Sequence, residues 1–116
     1  IVGIAITQAD STNGTWQYSL DSGNVWTNLG DVSENSAQLL AGKELIRFQP
    51  EVDFTGSTTF TFRAWDQTAG QDGITVDLGA LGTGGSSAFS SGTETAVLAV
   101  VTGGILLPES LPGIEV

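Results

Sequence analysis

Carboxylates are the only abundant groups in this chain that could do chemistry. Its 116 residues hold thirteen Asp and Glu against Lys43, Arg47 and Arg63, a formal charge of −10, with no Cys and no His. Without His the chain lacks the usual general base near neutral pH and the commonest transition-metal ligand, and without Cys it has neither disulfides nor thiolate sites. Serine triads, histidine relays and His or Cys zinc sites are therefore excluded. Glycoside hydrolysis needs two facing carboxylates, but thirteen acids make coincidental pairs easy. No catalytic residue is assigned, and the chain reads as non-enzymatic. What remains is hard-oxygen chemistry: the acids either bind calcium, which prefers such donors, or keep the surface solvated. The same charge repels nucleic acid and anionic membrane surfaces. Nor is any stretch apolar for the roughly 20 residues a membrane helix needs, so no membrane insertion is expected.

Aromatic stacking is the second candidate chemistry. Trp16, Trp26 and Trp65 could form a platform for cell-surface glycans, and core packing is the competing reading for all three. Trp65 is the candidate glycan contact. Alternation puts it on the face of Arg63, opposite Phe60 and Phe62, either outside or beneath a glycine-rich loop. Lys43 stands in an Ala-Gly-Lys-Glu turn and reads as solvated, while Arg47 and Arg63 are expected to balance acids or to cover apolar surface with their stems.

The elements that must position these residues are strands. Ile46 and Phe48 alternate with Arg47 and Gln49; a Pro-x-x-Asp-Phe-x-Gly corner breaks the run; Phe60, Phe62 and Ala64 then alternate with Thr59, Thr61 and Arg63. Short alternating runs between turn clusters, sixteen Gly and almost no helical signal predict an all-β domain. Strands are expected over 2–7, 15–20, 25–28, 36–40, 45–49, 58–65, 74–78 and 95–102. Asn13-Gly14 supplies a turn before the second strand, and the second and third should pair antiparallel across Asp21-Ser22-Gly23-Asn24. Trp16, Tyr18 and Leu20 share one face, and with Ile4, Ile6, Ile46, Phe48, Phe60 and Phe62 they form the expected core.

Two segments stand apart from this pattern. Within the 1–102 module, 70–92 is a long Gly/Ser-rich excursion whose composition favours flexibility, pinned at its far end by Phe89. After the Gly103-Gly104 hinge, 103–116 forms an apolar extended tail, with Pro108 and Pro112 excluding helix. Ile105, Leu106, Leu107, Leu111, Ile114 and Val116 make it a candidate donor strand for a sheet edge on its own domain, an adjacent domain or a neighbouring subunit.

Several runs in combination carry a family resemblance: Gly3-Ile-Ala-Ile-Thr7, Asn13-Gly-Thr-Trp-Gln-Tyr-Ser19, Asp21-Ser-Gly-Asn-Val-Trp26, Leu45-Ile-Arg-Phe-Gln-Pro50, Asp53-Phe-Thr-Gly56 and Phe62-Arg-Ala-Trp-Asp-Gln-Thr68. Over roughly 3–101 the chain resembles the cadherin-like or immunoglobulin-like tandem repeats of giant bacterial surface adhesins. The resemblance implies an immunoglobulin-like antiparallel β-sandwich with an extracellular, cell-surface role, in which stacked copies or adjacent repeats build a stalk or fibre. It also implies calcium at the domain ends, with Asp53 in the corner and Asp66 after the Trp as candidate ligands, joined by Asp10 and Asp21 from their turns. A carboxylate that caps turn amides is the alternative for Asp53. Such repeats usually open with further strands and close in a polar linker, whereas this chain starts near the Gly-Ile-Ala-Ile-Thr run and closes in an apolar tail. That departure leads to the expectation that a strand from a neighbouring module or subunit completes the sandwich, assembling copies head to tail. A carbohydrate-binding module is the alternative function, and it requires an exposed Trp row.

Overall fold

A computed structural model describes residues 2–101, and the candidate donor strand lies outside them. In it the alternating runs become eight strands: β1 (Gly3–Ala9), β2 (Gly14–Ser19), β3 (Thr27–Asn28), β4 (Ala37–Ala41), β5 (Leu45–Pro50), β6 (Gly56–Trp65), β7 (Thr75–Val76) and β8 (Glu94–Val100). Each overlaps an expected run. One helical turn, α1 (Leu78–Leu81), was not expected; Asp77 caps it, its Oδ1 accepting from the Gly79 and Ala80 amides at 2.9 and 3.3 Å.

The strands form two antiparallel sheets, ordered β7-β4-β1-β6-β8 and β3-β2-β5. β2 and β3 pair as the hairpin chemistry requires, with Gln17 opposite Asn28 and Tyr18 opposite Thr27. The Pro50 to Gly56 corner does not return the chain to β5. It carries it into the other sheet, where β6 lies antiparallel to β1, Gly3 opposite Trp65. Between Ile6 and Gln8 this pairing slips by one residue, a bulge, and Thr7 Oγ1 donates to the Thr61 carbonyl at 3.4 Å.

The inter-sheet core holds Ile6, Trp16, Leu29, Leu40, Phe48 and Val100. Aromatic rings carry it from one sheet to the other: Trp16 lies 5.1 Å from both Phe48 and Phe60, and Phe60 lies 5.7 Å from Phe62. Gly14 is required here because a Cβ would meet the Phe48 ring and the Gln49 carbonyl. Leu20 departs from its expected place in the core and is 43% exposed. The strand stops at Ser19, whose Oγ accepts from the Gly23 amide at 2.8 Å and turns the chain before Leu20 can continue the alternation.

A second core occupies the opposite face of the larger sheet. Ala5, Ala37, Leu39 and Trp65 project there and meet Leu78, Ala88 and Phe89 of the Gly/Ser-rich excursion. Instead of running free, this segment packs as a covering layer, docked by β7 along β4 and by a bridge between Trp65 and Phe89. The expected pinning role of Phe89 is what the structure shows, since that ring is 2% exposed. Every residue of β4 is buried because its sheet is covered on both sides.

Candidate functional site

The long strands at the sheet margins are the most distinctive surface of the molecule. Among the described residues β8 and β5 each end a sheet, whereas the other two margins, β7 and β3, are two residues long. Edge strands present unpaired N–H and C=O groups, and natural edges are commonly blunted by Lys, Pro or a bulge. β8 reads Glu-Thr-Ala-Val-Leu-Ala-Val and carries neither Lys nor Pro; Val97 at its middle is 69% exposed. Its other face meets the core through Leu98 and Val100, and Ala96, Leu98 and Val100 stand opposite Phe60, Thr58 and Gly56 in an unbroken register with β6.

Between the sheets runs an apolar seam that is only partly closed. Ile4, Ile46, Phe54, Phe60, Phe62 and Leu98 pack against the core yet remain partly buried. The physical reason lies in the unequal widths, since three strands cannot cover the inner face of five. Phe54, reached from the corner, shields part of it by standing 6.5 Å from Phe48. The apolar tail residues Ile105, Leu106, Leu107, Leu111, Ile114 and Val116, expected to supply a donor strand, lie outside the described residues.

The four acidic turn residues divide between the two ends of the sandwich. Asp10 sits by the β1–β2 turn, its amide donating to the Thr59 carbonyl, at the end that also holds the Glu51–Phe54 turn and Asp53. Asp21 follows β2 and Asp66 follows β6, at the end where Ser19 faces Leu45 and Trp65 faces Gly3. Three of them close their own turns. Asp10 Oδ1 accepts from the Thr12 amide at 3.0 Å. Asp21 Oδ1 accepts from Ser19 Oγ and the Val25 amide, both at 2.8 Å. Asp66 Oδ1 accepts from the Thr68 amide at 2.9 Å and from Thr68 Oγ1 at 2.6 Å. Hydrogen bonding within the turns holds all three carboxyls below the usual aspartate range, from the side chain and amide of Thr12 for Asp10, chiefly the Val25 amide for Asp21 and chiefly the Thr68 side chain for Asp66. Asp53 adopts a φ of 68° in an exposed turn, the left-handed conformation that Asp tolerates better than most residues. Among the described residues no three acidic side chains assemble into a set able to hold a metal ion.

Trp65 is not available as a sugar contact. It is 2% exposed beneath the excursion, and its indole N–H donates to the Ala69 carbonyl at 2.7 Å. The sequence offered both an outside and a covered position for this residue; the tertiary fold selects the covered one. Trp16 is 4% exposed with its N–H on the Asp10 carbonyl, and Trp26 lies under the Arg47 guanidinium at 4.1 Å from the ring centroid. An exposed row of all three Trp residues is therefore not formed among the described residues.

Arg63 contributes a contact that spacing could not reveal. Its Nε and Nη2 donate to Glu34 Oε1 and Oε2 at 3.1 and 3.0 Å, and its Nη1 donates to the carbonyls of Ser90 and Ser91 at 3.0 and 2.6 Å. Only its role of balancing an acid was legible in the sequence. Lys43 is 76% exposed, as a solvated lysine should be. Among the described residues no helix is long and apolar enough to cross a membrane. Compared with protein-family models, with curated proteins and with solved structures, the chain matches none of them.

Proposed function

We propose that this chain is a non-enzymatic structural module of an extracellular bacterial surface adhesin, an immunoglobulin-like sandwich that builds a stalk or fibre by joining head to tail with copies of itself or adjacent repeats. The observation that carries the reading is the pairing of an unguarded edge, β8, with a partly open apolar seam containing Phe62 and Leu98. A strand added there gains backbone hydrogen bonds from the edge and places alternate side chains in the seam. The segment 105–116 has the composition for that role, because Ile105, Leu107, Leu111 and Ile114 are apolar and Pro108 and Pro112 are incompatible with a helix interior. Calcium at the acidic turns would stiffen the ends of each module; what favours it is the placement of Asp10 with Asp53 and of Asp21 with Asp66 at opposite ends.

The test is the oligomeric state of the full 116-residue chain against one shortened after residue 102, by sedimentation velocity and electron microscopy with and without calcium. Filaments or concentration-dependent oligomers from the full chain alone, dispersed by an excess of the 105–116 peptide, support the reading. A full chain that stays monomeric and a shortened chain that ignores the peptide would sink it.

A further inference from the structure

The turn between β4 and β5 brings two carboxyl groups together away from the acidic turns described above. Ala41 is held from both sides: its amide donates to Asp72 Oδ1 at 2.8 Å, and its carbonyl accepts from the Glu44 amide at 3.0 Å. Asp72 and Glu44 thus both bind the backbone of one β4 residue, which sets the two side chains beside each other. The Glu44 side chain is only 4% exposed, and its Oε2 is buried with no hydrogen-bond partner; the neighbouring Lys43 ammonium stands off at 3.4 Å and is itself largely in solvent. Glu44 borders a cavity of about 200 Å³ whose wall is otherwise apolar, with Gly3 and Ile4 from β1, Leu40 and Ala41 from β4, and Leu45 and Ile46 from β5. The titratable groups acting on Glu44 are thus Asp72 from the excursion and Lys43 from its own turn.

Two adjacent carboxyls cannot both ionise without like-charge repulsion, and a buried oxygen that lacks a donor favours the protonated acid. We propose that the buried Glu44 carboxyl, set beside Asp72, keeps its proton and forms a pH-sensitive latch that fastens the covering layer to the larger sheet, closed while the proton is held and loosened when it is released. Asp72 lies next to the backbone rungs that begin this layer: the Gly73 amide donates to the Leu39 carbonyl at 2.9 Å and the Leu39 amide to the Ile74 carbonyl at 2.9 Å. Releasing the proton sets two negative charges against each other at the root of the cover over Leu39 and Trp65.

The Asp72 carboxyl and burial act on Glu44 in the same direction. The hydrogen bond to Asp72 raises the Glu44 pKa most, burial and the Asp72 charge raise it further, and Lys43 opposes them with the smaller effect. Because the folded-state value lies above the unfolded one, the stability from this group is fully present below the unfolded pKa. It is lost as pH rises through the folded pKa, the reverse of an ordinary surface carboxylate.

The test follows Glu44 by carbon-detected NMR across a pH titration, with amide exchange at Ala41 and Gly73 corrected for the intrinsic pH dependence, in the wild type, Glu44→Gln and Asp72→Asn. The latch predicts that Glu44 titrates above the ordinary glutamate range and that exchange at both amides rises several-fold as it deprotonates. In Glu44→Gln, whose amide donates to Asp72 as the protonated acid does, protection stays level with pH. In Asp72→Asn the side chain still accepts from Ala41, and Glu44 falls back to an ordinary titration. A Glu44 that titrates ordinarily in the wild type, with exchange profiles that match those of Glu44→Gln, overturns the proposal. So does a wild type that millimolar calcium protects at neutral pH while Glu44→Gln is unaffected, since the pair would then hold a cation instead of a proton.

Discussion

Arg63 grips Glu34 at two points, Nε to Oε1 at 3.1 Å and Nη2 to Oε2 at 3.0 Å, and in doing so ties β6 to the loop before β4. Because Nη1 also takes the Ser90 and Ser91 carbonyls, one planar guanidinium fastens three segments, and its side chain is only 15% exposed. Replacing Arg63 with Lys keeps the charge but loses the fork geometry, so Arg63→Lys should cost nearly as much as Arg63→Ala, about 1–3 kcal/mol by urea denaturation. Glu34 is half exposed, and Glu34→Gln should cost less than about 1 kcal/mol. A full rescue by Lys would show that charge, not geometry, carries the contact.

Trp65 and Phe89 seal the outer core. Phe89→Ala leaves a void beneath the excursion and should destabilise the fold by about 3–5 kcal/mol. Before global unfolding it should expose the Gly-rich stretch around 82–87 to protease, because Phe89 is the anchor on its C-terminal side. Limited proteolysis with mass mapping reads both the site and the order of events.

Gly14 sits where the β1–β2 turn meets the Phe48 ring and the Gln49 carbonyl. Gly14→Ala forces the ring or the strand pair to shift, at a cost of about 1–3 kcal/mol. Gly30, which has open space where a Cβ would stand, is the control. Thermal melts should separate the two variants clearly.

Asp10, Asp21 and Asp66 give the chain an acid limb. Their folded-state pKa values lie below the unfolded ones, so the unfolded chain binds protons first as pH falls. The stability they contribute is complete above the ordinary aspartate range and is lost as pH drops through the lower folded values. Asp21→Asn should flatten that limb, because Asn offers an uncharged oxygen to Ser19 and Val25 at every pH. Chemical denaturation at a series of acidic pH values checks it, and an unchanged slope would count against the turn bonds as the cause.

Val97 lies outward on the unguarded edge. Val97→Lys should leave stability within about 0.5 kcal/mol while hindering strand addition. Sedimentation of this variant beside the wild type reads the effect. If both associate equally, another edge must carry the association.

Local patterning made the strands legible, because alternation and turn chemistry act over a few residues: Trp16 and Phe48 were placed in the core correctly, and the β2–β3 hairpin follows from Asp21 to Asn24. Leu20 escaped that reading because the Ser19 hydroxyl ends the alternation one residue early. The outer core was hidden for a different reason. Ala5, Ala37 and Leu39 look like the minor face of their strands until a layer assembled from 66–92 covers them.

By itself the sequence determined that this protein is an all-β chain with acidic turns, with neither His nor Cys chemistry, and with core residues set two apart. Only the tertiary structure decided which strands meet, that Trp65 faces inward, that the four acidic turns separate to two ends, and that Glu44 and Asp72 come together. The physical reason is range. Alternation and turn propensity are properties of neighbouring residues, whereas strand order, coverage of a second face and the meeting of two carboxyls depend on contacts between segments that only the folded chain brings into reach.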